Sequence, residues 1–215
     1  MGYKAVIFDL DGTLIDSMTV WEDIGKRFLA ECKVTPPENL NQVIKTMSFE
    51  QSAQYFIDTF GLKFTREEIL SRFHEMVEDQ YRNFIELKPY VKKFLNRLKR
   101  KGIEMCIATA TDRILTEQVL NRLGILSYFA FIITVGEIGQ GKDNPKIYLK
   151  AAEKLGNLPK DIVVFEDALY PVKIAKNAGF HVVGVYDPSA KEDFEEIKQI
   201  SDYAIYSFQE VEKWF

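Results

Sequence analysis

The chain has 215 residues, 47% apolar and 28% charged, a composition that supports a buried core and excludes wholesale disorder. Its 28 Lys and Arg against 32 Asp and Glu give a formal charge of −4, without the basic footprint that a nucleic-acid binder needs. No run of about 18 apolar residues exists to cross a membrane, and two cysteines are too few for a disulfide scaffold.

In chain order, two textures alternate. Short β-branched and aromatic runs predict strands at 4–10, 104–108, 131–135, 162–165, 181–186 and 203–205. Their near-continuous apolarity suits parallel strands buried on both faces. The leading MGYKAVIFDLDG turns acidic after four apolar residues, unlike a secretion leader, so a cytoplasmic protein is expected. Helical periodicity predicts helices at 91–101, 113–123, 145–155 and 171–178. Pro145 and Pro171 read as first-turn prolines, and Gly102, Gly124, Gly156 and Gly179 stand where helices end. Cys32 and Cys106 lie in apolar-periodic stretches and are expected as reduced core residues. The alternation implies an α/β fold, a doubly wound parallel sheet. One segment departs from it: residues 16–88 are helical throughout, inserted between the first and second strands. The expected division is therefore a core of 1–15 and 89–215 and a helical insert of 16–88.

Asp9 and Asp11 follow the first apolar run, and Gly12-Thr13 then allows a sharp turn. Residues two apart on an extended chain point the same way, so both carboxylates are expected at the sheet's C-terminal edge. A second acidic pair, Glu166-Asp167, follows the strand at 162–165. Parallel strands open on the same side, and carboxylates gathered there repel one another unless a cation is present. Hard oxygen donors in this number suit Mg²⁺.

Asp9-Leu10-Asp11-Gly12-Thr13-Leu14-Ile15-Asp16-Ser17 resembles the first motif of the haloacid dehalogenase superfamily of phosphotransferases. The helical insert resembles the small cap of its β-phosphoglucomutase and phosphoglycolate phosphatase branch. The other motifs follow in the family's order, so the resemblance covers essentially the whole chain. It implies a Rossmann-like core and a small phosphorylated metabolite as substrate. Asp9 would be the nucleophile that becomes an aspartyl-phosphate, and Asp11 the general acid and base. It further implies Mg²⁺ held by Asp9, the Asp11 backbone carbonyl and Asp167, with Glu166 a direct or water-mediated ligand. Thr109, directly after its strand, and the Ala110 N–H would bind phosphate, and Thr111 is expected as a helix N-cap. The family spacing selects Lys142 over Lys146 as the ammonium beside Asp9, with Lys146 on the surface.

Two motifs depart from the usual pattern. Asp143 follows Lys142 where proline is usual, which implies a shifted loop, and Tyr170 adds bulk after Glu166-Asp167, where it would shape specificity or pack, packing being the expected role. Trp21 reads equally as substrate-facing or buried, His74 as a surface residue, and His181 as a strand residue without an inferable partner. Other chemistries occur on this scaffold. Asp11 argues against a dehalogenase. Lys45 is the nearest cap lysine for a phosphonate hydrolase, yet its neighbours announce nothing unusual. Thr46-Met47-Ser48-Phe49 lacks the Gly and Arg with which the resembling mutases grip a second phosphate. A non-catalytic phosphate-sensing module would not need every acid. A phosphatase is the expected function, with a sugar-phosphate mutase the alternative; substrate identity and oligomeric state are not readable.

Overall fold

Ala5-Val6-Ile7-Phe8 is fully buried on both faces, which a strand achieves only at the centre of a sheet covered on both sides. The computed structural model describes residues 2–44, 47 and 49–213. Six strands form one sheet: β1 (Ala5–Phe8), β2 (Glu104–Thr109), β3 (Phe131–Thr134), β4 (Ile162–Glu166), β5 (His181–Val185) and β6 (Tyr203–Ile205). Their order is β3-β2-β1-β4-β5-β6, and every pairing is parallel. The order reverses between β1 and β4, and that is where a doubly wound sheet opens a crevice at the strands' carboxyl ends.

Helices cover the sheet. α5 (Val91–Arg100) precedes β2, α6 (Arg113–Arg122) follows it, and α7 (Val135–Ile138) follows β3. α8 (Lys146–Leu155), α9 (Leu169–Asn177) and α10 (Phe194–Ile200) complete the series. Ala5, Ile7, Ala108 and Val164 share one core with Tyr148 and Ala151 of α8, Val172 of α9 and Ile197 of α10. Residues of the opposite parity form an aromatic core, in which Phe8 stacks on Phe165 at 4.9 Å and meets Phe94 of α5 at 6.2 Å. Gly102, Gly124, Gly156 and Gly179 all take positive φ at helix ends, as the sequence predicts. Two helix starts differ from expectation. Pro145 is the residue just before α8, and α9 begins at Leu169, two residues ahead of Pro171.

The helical unit, Met18–Phe84, comprises α1 (Met18–Glu31), α2 (Leu40–Ile44), α3 (Phe49–Phe60) and α4 (Arg66–Asn83). Phe28, Phe56 and Phe73 form its centre, with ring centroids 5.3 to 6.0 Å apart. Thr65 and Glu68 close a reciprocal capping box on α4. Trp21 donates from Nε1 to the Tyr81 hydroxyl at 3.2 Å within this unit, and His74 is exposed.

The unit is narrower than the helical span 16–88, and backbone pairing explains why. Asp16 N–H donates to the Glu86 carbonyl and Lys88 N–H to the Leu14 carbonyl, both at 2.9 Å. Lys88 Nζ also pairs with Asp187 at 2.8 Å and donates to the Tyr186 carbonyl at the end of β5. Both linkers therefore belong to the sheet unit, joined by one short ladder that leaves no alternation in the sequence. Two side chains also depart from expectation. Cys32 lies just past the end of α1 and is only half-buried, whereas Cys106 is buried. His181 has partners after all: Nδ1 lies 3.6 Å from Asp202, and its ring meets Tyr3 edge-on at 5.1 Å.

Gly184 on β5 is where α10 comes closest. A Cβ there would sit 2.4 Å from Ile197 Cγ2 and 3.0 Å from Ser201 Oγ. Gly184→Ala is expected to destabilise the fold by about 1–3 kcal/mol, read as a lower urea midpoint. An unchanged midpoint would contradict this packing.

Candidate active site

Phe8 is level with Phe165 across β1 and β4, so the next residues, Asp9 and Glu166, are neighbours with the same parity. Asp9 N–H donates to the Phe165 carbonyl at 3.0 Å and continues the ladder one residue past β1. Parity turns both carboxylates toward the α8 side of the sheet, the side that carries Ile7 and Val164. Asp167 joins them: carboxylate oxygens of Asp9, Glu166 and Asp167, all buried, lie within 4.8 Å of one another.

One ammonium bridges this group. Lys142, on the loop before α8, bonds Asp9 and, at 2.6 Å, Glu166, and its side chain is only 10% exposed. Lys146, by contrast, is exposed. Glu166 is held on both oxygens. Oε1 also accepts from the Tyr148 hydroxyl at 3.0 Å, and Oε2 accepts from the N–H groups of Asp167 and Ala168. Thr13 donates from its buried hydroxyl to Asp167 Oδ1 at 3.0 Å.

Asp11 is separated from the cluster by its partners. Gly12 turns the chain at φ +72°, a conformation open to glycine. The Asp11 carboxylate accepts from Ser17 Oγ and from Thr111 Oγ1, each at 2.6 Å. Two acids two residues apart thus acquire different environments, one against an ammonium and the other between two hydroxyls. Thr109 is fully buried at the end of β2, where its hydroxyl oxygen accepts from Thr111 N–H at 3.0 Å. That leaves the hydroxyl hydrogen to donate. Ala110 follows it and is exposed. Thr111 is not the helix cap that its position suggests. Asp112 caps α6 by accepting from Leu115 N–H at 3.0 Å, which leaves the Thr111 hydroxyl for Asp11. Tyr170 does not pack either: with α9 starting early it lies on the first turn, 68% exposed.

Burial pushes the Asp9 carboxyl up to about 7, and the charges of Glu166 and Asp11 add to the rise while Lys142 opposes it. Asp167 is raised well above the ordinary range, first by burial and then by Glu166 and Asp9. For Lys142 burial alone would lower the pKa, but the Asp9 and Glu166 charges outweigh it and the ammonium is held strongly. Three crowded, buried carboxylates with hard oxygen donors are what a small divalent cation would relieve.

The motif reading assigns no acid contact to Thr13, Ser17, Thr111 or Tyr148, whose hydroxyls meet Asp167, Asp11 and Glu166. Asking what satisfies an acid beside a buried strand end is the signal that points to Ser17 and Thr111. Tyr148 gives no such signal, because at helical spacing it reads as core.

The haloacid dehalogenase-like hydrolase family profile matches residues 3–179. A phosphorylated carbohydrates phosphatase of Thermotoga maritima is 29% identical over 176 residues, 82% of each chain. The beta-phosphoglucomutase of Bacillus subtilis is 30% identical over 190 residues, 85% of this chain and 83% of its own. A crystal structure from Thermotoga maritima, provisionally named a beta-phosphoglucomutase, superposes with a TM-score of 0.82 at 27% identity and covers 94% of each chain. The chain, with this sheet order, the acids closing β1 and β4 and the lysine they share, belongs to the haloacid dehalogenase-like hydrolases.

Proposed function

We propose that this protein is a Mg²⁺-dependent phosphatase that releases inorganic phosphate from a small phosphorylated metabolite through an aspartyl-phosphate on Asp9. The observation that carries the reading is the buried contact of Asp9 with Lys142 at the end of β1, beside Asp167. An Asp9 oxygen attacks phosphorus while the bond to the substrate's leaving oxygen breaks, and Asp11 gives that oxygen a proton. Asp11, now a carboxylate, takes a proton from water; the water oxygen attacks phosphorus, the bond to Asp9 breaks, and inorganic phosphate leaves. Lys142, the Thr109 hydroxyl and the Ala110 N–H bind phosphoryl oxygens and stabilise their charge.

Asp9, Asp167 and the Asp11 main-chain carbonyl would hold Mg²⁺, with Glu166 direct or through water, and the bound ion would supply positive charge to the transferring phosphoryl group. The buried acid cluster supports this ligand set. Insertion of Met18–Phe84 directly after the Asp9–Asp11 turn supports a cap role for the helical unit, one that excludes bulk water while the intermediate exists. Lys45, Thr46 and Ser48, weighed for phosphonate and mutase chemistry, lie outside the described residues. The phosphatase relative supports a small phosphorylated substrate.

Asp9→Asn keeps the shape and removes the nucleophile. The folded variant should lose at least about 10³-fold in phosphate release from a panel of phosphate monoesters; activity within tenfold of wild type would refute the mechanism. Excess chelator should abolish turnover and Mg²⁺ restore it, whereas full activity in chelator would remove the metal from the account.

Stability supplies an independent test. Asp9 rises from its ordinary 3.8 to about 7 on folding, so its proton stabilises the fold at low pH. That contribution is lost as pH climbs from about 4 through about 7. Ligation competes with the same proton, so the rise in melting temperature given by Mg²⁺ should be larger at about pH 8 than at about pH 5. An equal rise at both would contradict it.

A further inference from the structure

Tyr148 is the third residue of α8 and is fully buried. Its hydroxyl donates to Glu166 Oε1 at 3.0 Å, the same oxygen that Lys142 Nζ reaches at 2.6 Å. The ring also lies under the ammonium, with Nζ 6.0 Å from its centroid. The other Glu166 oxygen is taken by two backbone N–H groups, those of Asp167 and Ala168. Glu166 is therefore clamped from two directions, by the start of the β4–α9 turn and by α8. Lys142 and Tyr148 hold Oε1 with side chains, while the turn holds Oε2 with backbone N–H groups.

A Phe at this place would fill the core equally well, so packing does not account for the hydroxyl. Burying a phenol costs free energy unless its O–H finds an acceptor, and here that acceptor is the carboxylate that holds the lysine. Without the hydroxyl, Oε1 would meet Lys142 alone, and the carboxylate, still held through Oε2 by the turn, would lose the restraint that fixes Oε1 and with it the place of the ammonium against Asp9. Burial and the Glu166 charge keep the phenol protonated far above its usual range, so it remains a donor.

We propose that Tyr148 is a positioning residue, acting through Glu166 to fix the Lys142 ammonium against Asp9. The inference rests on the phosphatase reading above and adds to it a residue that never touches substrate. Removal of a hydrogen-bond donor behind a catalytic charge typically costs about 10-fold or more in activity.

The experiment compares wild type, Tyr148→Phe and Tyr148→Met with Mg²⁺ and p-nitrophenyl phosphate as substrate, alongside their melting temperatures. Both variants lack the hydroxyl, Phe keeps the ring and Met keeps comparable apolar bulk, so either one reads the proposal if the other fails to fold. The expected result is a fall of about 10-fold in kcat with KM within about twofold, because the loss falls on transition-state charge and not on general binding. A merely structural residue would shift the melting temperature and leave kcat of the folded protein unchanged. That outcome, kcat within about twofold of wild type in a folded variant, overturns the proposal. Wild-type protein that turns over neither this ester nor any member of the phosphate monoester panel would bring down the phosphatase reading, and this inference with it.

Discussion

Negative charge confined to the end of two neighbouring buried strands is the constraint around which this fold is arranged. The register that sets Phe8 beside Phe165 also sets Asp9 beside Glu166, and Asp167 completes a buried group of three acids. Such a group is tolerated only with compensating charge and hydrogen bonds. Lys142 supplies the ammonium, Thr13 and Tyr148 supply hydroxyl donors, and the β4–α9 turn supplies backbone N–H groups. Each compensating group comes from a different part of the chain, so the site forms only when the sheet, the Lys142 loop and α8 are all in place.

The same arrangement separates two acids that are neighbours in sequence. Asp9 sits in a water-poor position against an ammonium, while Asp11 turns at Gly12 and lies between the hydroxyls of Ser17 and Thr111. The roles proposed for them, nucleophile and proton carrier, require different behaviour at one pH, and contrasting surroundings are how identical side chains come to differ. The linkers of the helical unit are held with equal care. Residues 14–16 and 86–88 pair with one another, and Lys88 ties the return linker to Asp187 at the end of β5. The insertion thus leaves and rejoins the sheet unit without disturbing the strand whose end carries Asp9.

Much of this was legible in the residues. Near-continuous apolar runs read as strands because both faces of a central parallel strand are buried, and the acids closing β1 and β4 stood out against them. Strand ends opening on one side put Asp9, Glu166 and Asp167 in one group, the family resemblance added Lys142, and the structure brings those four side chains together. What was not legible depends on choices between adjacent residues or on tertiary distance. Thr111 and Asp112 are both good helix caps; Asp112 takes the cap, and the reason Thr111 does not lies a hundred residues away at Asp11. Tyr170 is expected to pack, but α9 starts two residues ahead of Pro171 and Tyr170 lies exposed on its first turn. Tyr148 has the spacing of any core aromatic, and nothing local reveals that its hydroxyl meets Glu166.

The account depends on a covalent bond between phosphorus and Asp9. Acid quenching during steady-state turnover of a phosphate monoester with Mg²⁺, then borohydride reduction and peptide mass spectrometry, reads that bond directly, since reduction converts an aspartyl-phosphate to homoserine. The account predicts homoserine at position 9 and unmodified aspartate at positions 11 and 167. A protein that turns over its substrate while Asp9 stays unmodified, or that carries the phosphoryl group on another residue, would contradict it.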